Sequence, residues 1–162
     1  MRLAVDANTI LSGLFFGGPE RRLLLAAIRG SVTLIVAEDI LEEVYDVVAR
    51  VFRRHQDLPS ALDLLEAILD ESEVVRRAVY AHDLARWAER LRDPSDAPLP
   101  ACAVAVGADG VVSGDKDVIE LQGLEGTRIY RTREALESLR ERGIGKNTPG
   151  SDRPISRHDS SR

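Results

Sequence analysis

Short apolar runs alternate with segments of helical period along this chain, and no hairpin turn signal joins any two of the runs. Leu3-Ala4-Val5, residues 32–36, Val74-Val75, residues 110–113 and Arg128-Ile129-Tyr130 read as strands, the third with a weak extension toward Val79. Between them apolar residues recur at three- and four-residue spacing. Leu23, Leu24, Ala27 and Ile28 form one helical stripe, closed by Gly30, and Ile40, Leu41, Val44, Val47, Val48 and Val51 form another over 38–54. Further helices are expected from Pro59 onward, over 82–92, over 96–106 and from Thr132 to about Arg142. Strands that follow one another without hairpins need crossover connections, and crossovers produce a parallel sheet covered on both faces. The expected fold is therefore α/β, a single-domain three-layer α/β/α sandwich. Ligands of such sheets sit beyond the carboxyl ends of the strands, where the strand order reverses.

The chain's 162 residues suit one domain, and 44% hydrophobic with 30% charged residues is ordinary for a globular protein. The expected core domain is 1–142. Residues 143–162 are rich in Gly, Ser, Pro, Asp and Arg, bury too little apolar surface to offset ordering entropy, and read as a disordered C-terminal tail. A single cysteine, Cys102, excludes an intramolecular disulfide and a cysteine-based zinc site. It sits among Ala and Val, as a small core residue would. Charge at Arg2 and Asp6 leaves no apolar signal core, and the longest uncharged stretch, 7–19, is too short to span a bilayer. A cytoplasmic setting without membrane contact is expected. The formal charge of −5 lacks the basic footprint of a general nucleic-acid coat.

Much of that acidity falls at positions with chemical meaning. Two expected strands end in carboxylates: Val5 is followed by Asp6, and Val112 by Ser113-Gly114-Asp115-Lys116-Asp117. Parallel strands project these ends from one edge of the sheet. Asp96 precedes the small-residue helix, where Asp93, Ser95 and Asp96 compete to be its N-cap. On the helix after the second strand, Glu42 points about 150° from the apolar stripe and Glu43 about 110°, so Glu43 lies nearer the sheet. Asp6, Glu43, Asp96, Asp115 and Asp117 thus form a candidate set. Gathered carboxylates repel unless protonated or bridged by cations, and an all-oxygen set selects Mg²⁺ or Mn²⁺.

At these residues the sequence resembles the PIN-domain family, and within it the VapC-like toxins of toxin–antitoxin pairs. The matching segments are Val5-Asp6-Ala7-Asn8, Leu41-Glu42-Glu43-Val44, Asp93-Pro94-Ser95-Asp96-Ala97 and Val112-Ser113-Gly114-Asp115-Lys116-Asp117, in register over roughly 1–140. The resemblance implies a five-stranded parallel sheet and an endoribonuclease dependent on one or two Mg²⁺ or Mn²⁺ ions. It places catalytic and metal-holding roles on Asp6, Glu43, Asp96 and Asp115, with Asp117 as an additional acid. Asn8, Ser113 and Asp93 become supporting polar residues. An RNA substrate, an antitoxin protein covering the site and a homodimer are further implications. Two departures stand out: Ala7 follows Asp6 where Thr or Ser is common, and Pro98 and Pro100 enter the start of the next helix. Pro100 is expected to shift or loosen that helix.

Other readings compete. A dehalogenase-type phosphotransferase needs a second Asp two residues after the first, and Asn8 stands there instead. A housekeeping RNA-maturation nuclease shares the chemistry and differs in substrate. A non-catalytic RNA- or partner-binding module would show a replaced acid, and none of the five is replaced. The basic side chains are almost all arginine, a good phosphate fork, and Arg50, Arg53, Arg54, Arg76, Arg77, Arg128, Arg131 and Arg133 are candidates for an RNA path. Trp87 and Phe52 read as core, and Leu14-Phe15-Phe16 as core or as an apolar contact patch.

Overall fold

The computed structural model describes residues 1–121 and 124–146. Five parallel strands form one sheet: β1 (Arg2–Val5), β2 (Thr33–Ala37), β3 (Glu73–Val75), β4 (Gly110–Val112) and β5 (Arg128–Tyr130), in the order β3-β2-β1-β4-β5. All four pairings are parallel, as the missing hairpin signals require. The chain winds outward from β1 to β3, then crosses back to β4 on the other side of β1. The strand order therefore reverses between β1 and β4, and the two strands that carry Asp6 and Asp115 flank that point.

Helices cover the sheet. α1 (Ala7–Phe15), α2 (Gly18–Ile28), α4 (Leu58–Asp70) and α9 (Thr132–Lys146) pack against one another. α5 (Arg77–Tyr80), α6 (Leu84–Ala88) and α7 (Pro98–Ala105) form a second group. α3 (Glu38–Val51) touches both α1 and α7, and the short α8 (Lys116–Ile119) leads from β4 toward β5. Leu3, Val5, Leu34, Ile35, Val36, Val111 and Val112 are fully buried in the sheet, and Leu23, Leu24, Val44 and Ile68 meet them from the helices. Cys102 and Trp87 lie in this core, as expected, and burial pushes the Cys102 thiol up to about 12.

Several boundaries differ from expectation. Residues 7–15 are helical, although no helix was expected there. Asp6 caps the segment, and Ile10, Leu11, Leu14 and Phe15 recur at helical spacing into the core. Val79 lies in α5 and does not extend β3. The helix expected over 82–92 is shorter, a 3-10 turn at Ala81–Asp83 followed by α6. Pro98 and Pro100 do not loosen α7: both fall in its first turn, where a helix has no use for their missing N–H groups. α9 continues to Lys146, and the rest of the expected tail, 147–162, lies outside the described residues. In the aromatic run, Leu14 and Phe15 are buried and Phe16 is exposed; Phe15 stacks on half-buried Phe52 at 3.9 Å.

The end of the sheet opposite the carboxylates is tied by Arg2. Its guanidinium donates to Glu73 Oε1 at 2.8 Å and Oε2 at 2.7 Å, reaching from β1 past β2 to β3. It also donates to the Val106 carbonyl at 2.9 Å, and the Arg2 N–H donates to Asp109 Oδ2 at 2.7 Å. At the other end, buried Tyr80 donates to Asp39 Oδ2 at 2.6 Å, which joins α5 to α3.

Gly110 lies where β4 passes under the Tyr130 ring. A Cβ there would stand 2.5 Å from Tyr130 Cε2, 2.8 Å from Cδ2 and 3.0 Å from Leu3 Cδ2. Gly110→Ala is expected to lower stability by about 1–3 kcal/mol, the usual cost of overpacking a core. A fall in the urea midpoint at unchanged slope is the expected reading, and an unchanged midpoint would contradict the packing described.

Candidate metal centre

The sheet register sets the first contact of the site. Val5 of β1 pairs with Val112 of β4, so the next residue on each chain, Asp6 and Ser113, also stand together. Ser113 is fully buried and donates its Oγ–H to Asp6 Oδ2 at 2.5 Å. Ser113 Oγ in turn accepts the Asp115 N–H at 3.1 Å. Asp6 Oδ1 accepts the Thr9 N–H at 2.7 Å, which caps α1, and Asp115 Oδ1 accepts the Asp117 N–H at 2.7 Å, which caps α8. Both strand-end acids are thus fixed by backbone donors at helix starts.

The third acid is positioned by a division of labour. Asp93 wins the competition for the cap. It accepts the Ser95 N–H at 2.9 Å and the Ser95 Oγ–H at 2.7 Å, closing the 3-10 turn Pro94–Asp96. Those bonds hold the exposed Asp93 carboxyl below the usual carboxylate range. Asp96 is released from capping and faces the cleft. Glu43 arrives on α3, the helix that touches both α1 and α7, and lines the cleft where Glu42 does not.

Asp6, Glu43, Asp96 and Asp115 therefore line one cleft, together with Asn8, Ser95 and Ser113, over a floor that includes Ile40, Leu99 and Val118. No Lys or Arg among the described residues lines it. Its free volume of about 40 Å³ admits a few water-sized particles. The carboxylates feel one another. Asp96 is pushed up to about 6, first by burial and then by Asp115, Asp93, Glu43 and Asp6. Glu43 is also raised, by burial first and then by Asp6 and Asp93. Asp117 is not brought into the cleft; it turns toward Arg92, 3.4 Å away, and lines a neighbouring depression with Arg90 and Glu120. Its backbone N–H still serves the site through Asp115. Asp93 likewise acts from outside, through Ser95 and through its charge.

Ser95 and Thr9 are contributors that the sequence reading left without a role in the site. Ser95 signals itself by standing two residues after a capping Asp. Thr9 acts through its backbone, which side-chain chemistry does not reveal.

The donor set fits a hard divalent cation in chemistry, being all oxygen and without a neutralising cation among its lining residues. In distance the fit is looser. Among the described residues, no three His, Cys, Asp or Glu side chains are gathered tightly enough to enclose an ion. That arrangement suits Mg²⁺, which binds through one or two carboxylates, keeps several waters and takes further oxygens from substrate phosphate.

This chain belongs to the PIN-domain family: the family profile, described as PIN domain, matches residues 2–117, a span that contains all five acids. Two solved structures share the fold. One is a chain in the crystal structure of VapBC2 from Rickettsia felis bound to a DNA fragment from their promoter, with 14% identity and a TM-score of 0.56, covering 81% of this chain and 98% of that one. The other is PAE2754 from Pyrobaculum aerophilum, with 17% identity and a TM-score of 0.64, covering 87% of this chain and 90% of that one. The sequence has no significant match among curated proteins.

The raised Asp96 has a consequence for stability. Its folded pKa of about 6 lies above the 3.8 of a free aspartate, so the folded state binds the extra proton and loses stability as pH rises from about 4 to 6. Asp96→Asn is expected to stabilise the metal-free protein at neutral pH. The gain is on the order of 1 kcal/mol after solvent screening, and it fades as pH falls toward 4. Thermal melts at pH 7.5 and pH 4 test this; equal gains at both pH values would contradict the assigned titration.

Proposed function

We propose that the protein is a Mg²⁺- or Mn²⁺-dependent endoribonuclease that hydrolyses RNA phosphodiester bonds, and that it is the toxin of a type II toxin–antitoxin pair. One observation carries the reading: four carboxylates from four separate parts of the chain face one cleft at the point where the strand order reverses, and no basic side chain among the described residues lines it. Membership of a family whose domains are typically nucleases supports the reaction class.

Asp6, Glu43, Asp96 and Asp115 would hold the ion or its water ligands. When bound, such a cation supplies positive charge to a phosphodiester and lowers the pKa of water. The remaining work falls to the chain. Thr9 and Ser113 fix both oxygens of Asp6, so its carboxylate need not be ordered on binding. Ser113 also couples the two strand ends through the Asp115 N–H, and Asp93 holds the turn that aims Asp96. Burial and the neighbouring carboxylates push Asp96 up to about 6 in the metal-free cleft, and a bound cation would draw it back down and hold it as a carboxylate. Asn8 offers an amide to the cleft beside the acids.

The VapBC2 neighbour is a toxin–antitoxin complex, which supports an antitoxin partner for this chain. A homodimer and a cytoplasmic setting belong to the same reading. Phe16, 73% exposed, and Val51, 63% exposed, offer apolar surface for such contacts. No helix among the described residues is long and apolar enough to cross a membrane.

Purified protein with structured RNA and Mn²⁺ is expected to cut, and EDTA is expected to stop it. Asp6→Asn should lose roughly 100-fold or more in rate, and Ser113→Ala roughly 10- to 100-fold, the usual loss for a group that orients a ligand. Cleavage that survives unchanged in Asp6→Asn, or is absent from the parent protein, would sink the enzymatic reading. Co-expression with the product of an adjacent small gene tests the pairing. Unaltered growth and activity with and without that product would count against it.

A further inference from the structure

The carboxylates of the cleft, in a chain of net charge −5, repel a polyanion, and a bound cation there would meet only the phosphate at the reacting position, so holding a longer RNA calls for basic surface outside the cleft. The depressions around the site do not supply it. The groove beside the cleft sets Arg77 against Asp39 and Glu43. The depression of Arg90 and Arg92 also contains Asp117 and Glu120. A third sets Arg128 against Glu134, Glu137 and Glu141.

The depression between α2 and α9 differs. It has a volume of about 370 Å³ and is lined by Arg22, Arg133, Leu136, Glu137 and Arg140. Arg133, Leu136, Glu137 and Arg140 recur at helical spacing and form one face of α9, with Arg22 opposite on α2. All three arginines are exposed. None has an ion pair or hydrogen bond among the described residues, in contrast to Arg2, Arg77, Arg86 and Arg92. The sequence beyond α9 carries Arg153, Arg157 and Arg162 against Asp152 and Asp159, so it adds no excess of acid.

We propose that Arg22, Arg133 and Arg140 form an exosite for the phosphate backbone of RNA outside the acid cleft. The inference rests on the nuclease reading and extends it to how substrate is held. Position supports it. α9 starts just after β5, on the sheet edge that carries the acids, and β5 lies two strand spacings, roughly 10 Å, from β1. Arg133 and Arg140 are separated by about 10 Å along the helix. Charges spaced in this way match a strand of successive phosphates better than a single small anion. Arginine forks bind phosphate oxygens in pairs without reading base sequence.

The test measures binding and cutting separately. Full-length protein carrying Asp6→Asn is titrated with a long fluorescein-labelled single-stranded RNA between about 50 and 200 mM salt. Adding Arg22→Glu, Arg133→Glu and Arg140→Glu should weaken binding roughly ten-fold or more at low salt. It should also flatten the salt slope by about two, at roughly 0.7 per lost single-strand phosphate contact. Lysine at all three positions should restore most of the slope, and circular dichroism melts confirm that each variant is folded. With Asp6 intact, the charge-reversed protein should show a raised KM for long RNA and unchanged cutting of a fragment no longer than the acid cleft. Unchanged affinity and slope would overturn the exosite even if the parent protein cuts RNA. A changed oligomeric state with unchanged RNA binding would overturn it in favour of self-association. If the parent protein does not cut at all, the nuclease reading fails, and the binding titration still decides the exosite.

Discussion

The site depends on the pairing of β1 with β4. Two strands far apart in sequence lie side by side in parallel, and their register delivers Asp6 and Ser113 as neighbours. The hydrogen bond between them then couples the first strand end to the loop that carries Asp115. A slip of one residue would turn the side chains of β4 to opposite faces and remove the contact. The close fit of Gly110 against the Tyr130 ring and Leu3, which leaves no room for a side chain at that place, resists such a slip, so the packing of the sheet and the geometry of the cleft are linked.

Gathering acids there opposes folding, because burial and like charge both raise Asp96 and Glu43. The chain compensates locally by using the acids at the edge of the cluster for structure. Asp6, Asp93 and Asp115 each cap a helical turn, and backbone donors offset part of the repulsion. At the far end of the sheet, where Glu73 and Asp109 both accept from Arg2, that arginine ties β1 to β3 and to the segment before β4.

Sequence reading captured the parallel sheet because strand-length apolar runs without hairpin turns leave few alternatives. It separated Glu43 from Glu42 because a helix has a fixed angular step, and only Glu43 lines the cleft. It missed α1, whose residues read as an uncharged stretch. The clue was Asp6 as a cap followed by Ile10, Leu11, Leu14 and Phe15. It could not choose the cap among Asp93, Ser95 and Asp96, since all three types are good caps and only the path of the backbone decides. Asp117 illustrates a similar limit. Its spacing from Asp115 suggests a shared site, but a side chain two residues on in a helical turn points elsewhere, here toward Arg92.

The double use of Asp6 and Asp115 as caps and as cleft acids also bears on how the protein can be lost. Asparagine caps a helix about as well as aspartate. A change to asparagine at either position therefore leaves the turn satisfied while it removes a charge from the cleft. A chain disarmed in this way keeps its surface, including the exposed Phe16 and the arginines of α9. The two strand ends can therefore lose a cleft charge without losing a helix cap, so the chemistry of the cleft and the stability of the turns around it can change independently.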